Sequence, residues 1–196
     1  YQQAAGHFLA VLQENPEHPE ALAEMGKIYL LARNKDKTME TAGTLLDTNP
    51  DSVAGLVLRA GAKAMEQDFK GAEADLERAL ELEPGQVDGS ALLASIYSSQ
   101  GRSVEAEGVL TTAIEKHPDE TDLRVILAQT YLSSDQPDKA IDTLKALIAE
   151  TPDNFQNRLR LVNVYTLQDD TESALEVLKQ PVADFPEDKE PKLRHV

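Results

Sequence analysis

An all-α solenoid of antiparallel helix pairs is the fold class this sequence predicts, and three observations predict it. Prolines stand at Pro16, Pro50, Pro84, Pro118, Pro152 and Pro186, each 34 residues after the last, so that six of the ten prolines keep one period. Other residues keep the same period at their own phases. One phase is Tyr29, Tyr97, Tyr131 and Tyr165, with Lys63 in the second slot. Another is Ala4, Ala72, Ala106, Ala140 and Ala174, with Thr38 as the exception. A third is Phe8, Ala42, Leu76, Leu110, Leu144 and Leu178. Within each period the apolar residues recur at helical spacing, and the runs stop at glycine or before proline. A fixed period of this length marks small units that bury their apolar faces against one another.

Starting each repeat three residues after its proline gives repeats at 19–52, 53–86, 87–120, 121–154 and 155–188. Residues 1–18 are then the second half of an earlier repeat, and 189–196 open another. The start at Tyr1 without methionine and the stop at Val196 lead us to expect a piece of a longer protein. Its uncapped first edge, carrying Phe8, Val11 and Leu12, would then be able to drive dimers of the piece.

Each repeat reads as two helices, and repeat three shows why. Ser90, Leu93, Ala94 and Tyr97 fall at repeat positions 4, 7, 8 and 11, a mostly apolar stripe at helical spacing. Gly101 breaks the run, as a glycine just past a helix end does. Ala106, Leu110, Ala113 and Ile114 form a second stripe. Lys116 and His117 sit near its end, where positive charge suits the helix dipole. His117-Pro118 stops it, because proline pushes the preceding residue out of helical geometry. Alanine at position 20 lets two helices approach closely while keeping high helix propensity. Tyrosine at position 11 fills the space between repeats, with its hydroxyl at the wet edge.

Some repeats depart from this pattern. Repeat two puts Arg59 and Lys63 at the core positions 7 and 11, where their stems cover apolar surface and their charges reach towards Asp68 or Asp75. Arg124 and Arg158 occupy position 4 in repeats four and five. Pro181 falls inside the second helix of repeat five, where a kink or early end is expected at a cost of roughly 3 kcal/mol unless packing compensates.

The pattern resembles the tetratricopeptide repeat over essentially the whole chain. Repeat one carries Leu22, Met25, Gly26, Tyr29 and Pro50, and repeat three carries Leu93, Ala94, Tyr97, Gly101, Ala106, Leu110, Ala113 and Pro118. Any one repeat would be a weak match; five in register make a strong one. The resemblance implies a right-handed superhelix. It also implies a concave groove lined by the first-helix positions 2, 5, 9 and 12, which cluster beside the core stripe at ~100° per residue.

That face reads Glu20, Ala23, Lys27 and Leu30 in repeat one. In repeat two it reads Ala54, Val57, Gly61 and Ala64, with Leu58 and Met65 beside them. Repeat three gives Asp88, Ala91, Ser95 and Ser98 with Leu92. Repeat four gives Asp122, Val125, Gln129 and Leu132 with Ile126, and repeat five gives Gln156, Leu159, Asn163 and Thr166 with Arg160. The middle of the face is small and apolar in a chain that is 28% charged. The acidic excess therefore falls on second helices and turns, as at Glu73, Asp75, Glu77, Glu81 and Glu83. Some of these face residues could equally pack against neighbouring repeats, but the strip as a whole suits an apolar or amphipathic segment of a partner protein. A carboxylate-recognising clamp, as found in one chaperone-binding subfamily, needs lysine and asparagine at positions 5 and 9. Here those positions hold Ala23 and Lys27, Val57 and Gly61, then Ala91 and Ser95, and that ligand class is rejected.

Composition narrows the function further. With 35 acidic and 19 basic residues the formal net charge is −16, which repels nucleic acid and anionic membrane surfaces. The absence of cysteine excludes disulfides, thiolate metal sites and cysteine nucleophiles. No apolar run approaches the ~18 residues of a membrane span, so direct membrane insertion is not expected. His7, His18, His117 and His195 lack the spacing of metal ligands, pairs such as Asp119-Glu120 and Asp169-Asp170 fall in turns, and there is no phosphate loop or nucleophile elbow. Neither catalysis nor a cofactor is expected.

Two readings follow. The first is a non-catalytic scaffold for a partner protein. The second is a structural spacer or self-assembly module, with a homo-oligomer as its product. Dense acidic residues and the phrase Gly101-Arg102-Ser103-Val104-Glu105-Ala106 also resemble bacterial envelope proteins of polysaccharide export. That resemblance implies a periplasmic or envelope-associated setting rather than a cytoplasmic one.

Overall fold

The computed structural model describes residues 2–179, with the side chains of residues 2–4 left aside; Pro181 lies outside this range. The described residues form eleven helices: α1 (Gln2–Glu14), α2 (Pro19–Leu31), α3 (Lys35–Thr48), α4 (Val53–Met65), α5 (Phe69–Leu82), α6 (Val87–Ser99), α7 (Ser103–Lys116), α8 (Thr121–Ser133), α9 (Pro137–Glu150), α10 (Phe155–Leu167) and α11 (Thr171–Lys179). The even-numbered helices start at 34-residue intervals from Pro19, and each is joined to the next helix by a three-residue turn. The chain divides into two units, residues 1–126 and 127–196. In the first, successive helices pack as antiparallel pairs and α4 also touches α2 and α6; in the second, α10 packs on α9 and α11.

Local chemistry sets the helix starts. Pro19 and Pro137 occupy first-turn positions that need no amide donor. Side chains of Asn34, Ser52, Asp68, Asn154 and Asp170 accept hydrogen bonds from amides of the following turn.

The turn inside each pair reveals a further 34-residue series that composition does not announce. Arg33, Gln67, Gly101, Asp135 and Asp169 all have left-handed backbone, with φ between 55° and 75°. Only one of the five is glycine. For an L-residue this conformation costs roughly 1–2 kcal/mol, so the tight turn is held against local strain by the packing of the helices it joins. Replacing the exposed Gln67 by glycine is therefore expected to stabilise the chain by about 0.5–1 kcal/mol, after allowing for the greater freedom of glycine when unfolded. A rise in the urea midpoint with an unchanged slope would check this.

The small-residue positions are tight. Ala72, Ala106 and Ala140 have no exposed surface, and Thr38, the exception in their series, is equally buried. Its hydroxyl donates to the Asn34 carbonyl at 2.8 Å, which satisfies the polar atom within the helix. Behind α2 and α4 a core forms from Leu22, Ala42, Leu45 and Leu58, with Leu12, Leu30 and Ala54 against it.

Arg59 and Lys63 keep their core positions by meeting one carboxylate. Arg59 donates through Nε and Nη2 to Asp75 at 2.9 and 2.7 Å, and Lys63 Nζ donates to Asp75 at 2.7 Å and to the Gly71 carbonyl at 3.2 Å. Asp68, the other acceptor expected from sequence, instead caps α5 through the Gly71 amide. Burial pushes the Asp75 carboxyl up, but the bonds from Arg59 and Lys63 outweigh it and hold its pKa below the usual aspartate range. Arg158 is buried at its core position and donates from Nη2 to the Pro152 carbonyl at 3.2 Å, whereas Arg124 is only half-buried.

Candidate functional site

Helices α2, α4 and α6 enclose a cleft of about 680 Å³, all of it within the first unit. Its floor is α4, through Val53, Ala54, Val57, Leu58, Gly61, Ala64 and Met65. One wall is Ala23, Lys27, Leu30 and Leu31 of α2, with Arg33 from the following turn. The other is Asp88, Ala91, Leu92 and Ser95 of α6, with Glu83 and Gln86 from the preceding turn.

The trough exists because the residues along it are short. Ala54, Ala64, Ala91 and Ser95 leave space where longer side chains would meet. At Gly61 an added Cβ would lie 2.6 Å from Leu30 Cδ1, so the α2 side chain rests directly on the α4 backbone. The volume falls in the ~300–1,000 Å³ range of built binding sites. Apolar residues dominate the floor, and Leu31, 69% exposed, stands at the cleft edge.

The charges are at the walls. Lys27 Nζ of α2 lies 3.1 Å from Asp88 of α6 and 3.4 Å from Glu24 on its own helix. The Lys27–Asp88 pair thus links the two helices that flank α4. Burial pulls the Lys27 ammonium down, but hydrogen bonding and charge from Asp88 and Glu24 outweigh it, leaving its pKa above the ordinary lysine value.

Of the residues that the sequence puts on the groove face, Ala23, Lys27 and Leu30 of α2, Ala54, Val57, Leu58, Gly61, Ala64 and Met65 of α4, and Asp88, Ala91, Leu92 and Ser95 of α6 line this cleft, whereas Glu20 and Ser98 do not. Leu58 serves also as core, being 2% exposed. On α8, Asp122 and Gln129 are exposed, Ile126 and Leu132 are half-buried and Val125 is buried. On α10, Asn163 and Arg160 are exposed, and Arg160 donates to Asn157 Oδ1 at 3.3 Å. None of these α8 and α10 residues belongs to the cleft. Sequence reading did not identify the turn residues Arg33, Glu83 and Gln86, or the pairing of Lys27 with Asp88. The opposite charges at positions 9 and 2 of alternate repeats were the available signal for that pair.

Away from the cleft residues, a polar seam ties repeat two to repeat three. Tyr97 Oη donates to Glu77 at 3.1 Å, which puts the position-11 hydroxyl at a wet edge. The Arg102 guanidinium stacks 4.0 Å from the Tyr97 ring centre and donates to Glu73 at 2.8 Å. Lys37 over Tyr29 and Lys139 over Tyr131 repeat the cation–ring motif. Among the described residues no cluster of three histidine or acidic side chains is placed to hold a metal ion, and no helix is long and apolar enough to cross a membrane.

Comparison with known proteins follows the same lines. The family profile described as tetratricopeptide repeat matches residues 1–60, 63–130, 99–157 and 131–193. A thermophilic tetratricopeptide repeat protein of Thermus thermophilus superposes with a TM-score of 0.74 at 23% identity, over 83% of this chain and 89% of that one. A tetratricopeptide repeat protein of Parabacteroides merdae gives 0.67 at 20% identity, over 91% and 70%. YrrB, described as having an unusual peptide-binding site, gives 0.59 at 17% identity, over 89% and 90%. At these identities the likeness is one of fold. No curated protein matches the chain in sequence.

Proposed function

Because the chain belongs to the tetratricopeptide repeat family, we propose that it is a non-catalytic interaction scaffold whose α2–α4–α6 cleft takes an apolar or amphipathic segment of a partner protein. The observation that carries this reading is the open apolar floor of α4 between two walls, on a chain otherwise dense in charge. Burial of apolar surface would supply the affinity, and the short side chains leave room for it.

The test uses a random peptide library displayed on phage, selected on the intact chain. Ala64 is half-buried and Ser95 exposed, and both line the cleft. Selected peptides are expected to lose at least about 100-fold in affinity for Ala64→Lys with Ser95→Lys, since an apolar segment would bury two ammonium groups. Helical circular dichroism should be retained. Equal binding to both proteins, or failure to select any peptide, would overturn the groove. These positions suit the test better than Val125 and Ile126, because charging the buried Val125 would also disturb packing.

The second reading, a spacer or self-assembly module, draws on the exposed Leu9 and Val11 of α1. Sedimentation showing a tight dimer that hides the cleft would favour it. The proposed bacterial envelope setting rests on the dense acidic residues and the Gly101–Ala106 phrase, and cell fractionation tests it.

A further inference from the structure

We infer that the cleft selects partner segments carrying a basic side chain beside their apolar contact, and that Asp88 receives that side chain by exchange with Lys27. This rests on the reading of the cleft as a binding site and adds the chemistry of its occupant.

The ion pair across the cleft is exchangeable on one side only. Lys27 has a second carboxylate, Glu24, one helical turn away at 3.4 Å, so it stays paired if Asp88 turns to another cation. Asp88 stands in the first turn of α6, a position where negative charge suits the helix dipole. It is half-exposed on the wall of the cleft and can therefore meet a ligand without a buried charge being stranded.

The opposite occupant, an acidic segment seated on Lys27, is disfavoured twice. It would have to displace a carboxylate from a lysine that already has two, and it would approach a chain of formal net charge −16. The long-range field and the local exchange both favour a cation. An arginine or lysine set beside an apolar anchor on the incoming segment would place its anchor over Ala54 and Ala64 and its charge at Asp88.

Selection of the displayed library on wild-type chain is expected to enrich arginine and lysine next to large apolar residues. Asp88→Asn should weaken those peptides roughly three- to tenfold, as expected for one half-exposed charge-assisted contact. Lys27→Ala should strengthen them a few-fold by removing the competing cation, and selection on Asp88→Lys should lose the basic enrichment. Circular dichroism and thermal melts verify that each variant is folded. Absence of basic enrichment, no change with Asp88→Asn, or weaker binding with Lys27→Ala would overturn the inference. Peptides that lose affinity for Ala64→Lys with Ser95→Lys yet ignore Asp88 would leave the cleft standing and sink only its proposed chemistry. Peptides indifferent to both, or none selected, would sink both.

Discussion

Asp75→Ala is expected to destabilise the first unit by about 2–4 kcal/mol, near the lower part of the range for breaking a buried ion pair. The carboxylate is 7% exposed and is the shared acceptor of Arg59 and Lys63. Without it, two cations are left at core positions between α4 and α5. The figure is set below that of a fully buried pair because the Arg59 and Lys63 side chains keep 36% and 25% of their surface exposed, and water screens part of the loss. Replacing all three residues by an apolar set, Arg59→Leu, Lys63→Tyr and Asp75→Val, should recover the loss or exceed wild type, because nothing charged is then desolvated. Urea unfolding of the single and triple variants measures both effects, and a triple variant no better than the single would contradict this account.

The same site sets a pH dependence with a definite sign. The folded-state pKa of Asp75 is depressed, so its contribution is fully present above the unfolded value of about 4 and is lost as pH falls through the folded value. The stability gap between wild type and Asp75→Ala should therefore be constant near neutrality and shrink as acid protonates the wild-type carboxylate. A gap that widened on acidification would reverse the assignment.

Gly26→Val is expected to cost about 2–4 kcal/mol, at or above the usual cost of overpacking a core. A Cβ at Gly26 would overlap the Leu58 side chain, with Leu58 Cγ itself only 3.2 Å away. Leu58 cannot yield easily, since it is 2% exposed and held by Leu22, Ala42 and Leu45. Glycine is thus retained in mid-helix, despite a propensity loss of about 1 kcal/mol, because α2 and α4 meet over it. Combining Gly26→Val with Leu58→Ala should recover much of the loss by restoring volume, a coupling of favourable sign in a double-mutant cycle. Additive losses would show that the contact does not limit the approach of the two helices.

Much of the fold and part of the candidate cleft could be read from residue spacing. The helix pairs start where the 34-residue series puts them, and Ala72, Leu76, Ala106 and Leu110 are buried where their stripes indicate. Thirteen of the face residues named from sequence, all on α2, α4 and α6, line the cleft. Residues that share one repeat position still differ in burial: at position 5 Val57 and Val125 are buried, whereas Leu159 of α10 is 38% exposed. Position within a repeat gives the direction a residue faces on its own helix. How far that face is covered depends on the side chains of the helices around it.

The sequence by itself determined the period, the helix pairs and the small residues between them, because each follows from the turn of a single helix and the volume of its neighbours. Three matters were decided only by the tertiary structure. Asp75 rather than Asp68 takes both cations at the core positions, since α5 turns Asp75 inward and uses Asp68 as its cap. Arg33, Gln67, Asp135 and Asp169 adopt the left-handed turn that composition marks only at Gly101, because helix packing outweighs a local strain of about 1–2 kcal/mol. Lys27 meets Asp88 across the cleft because α2 and α6 flank α4, bringing together charges that lie far apart along the chain.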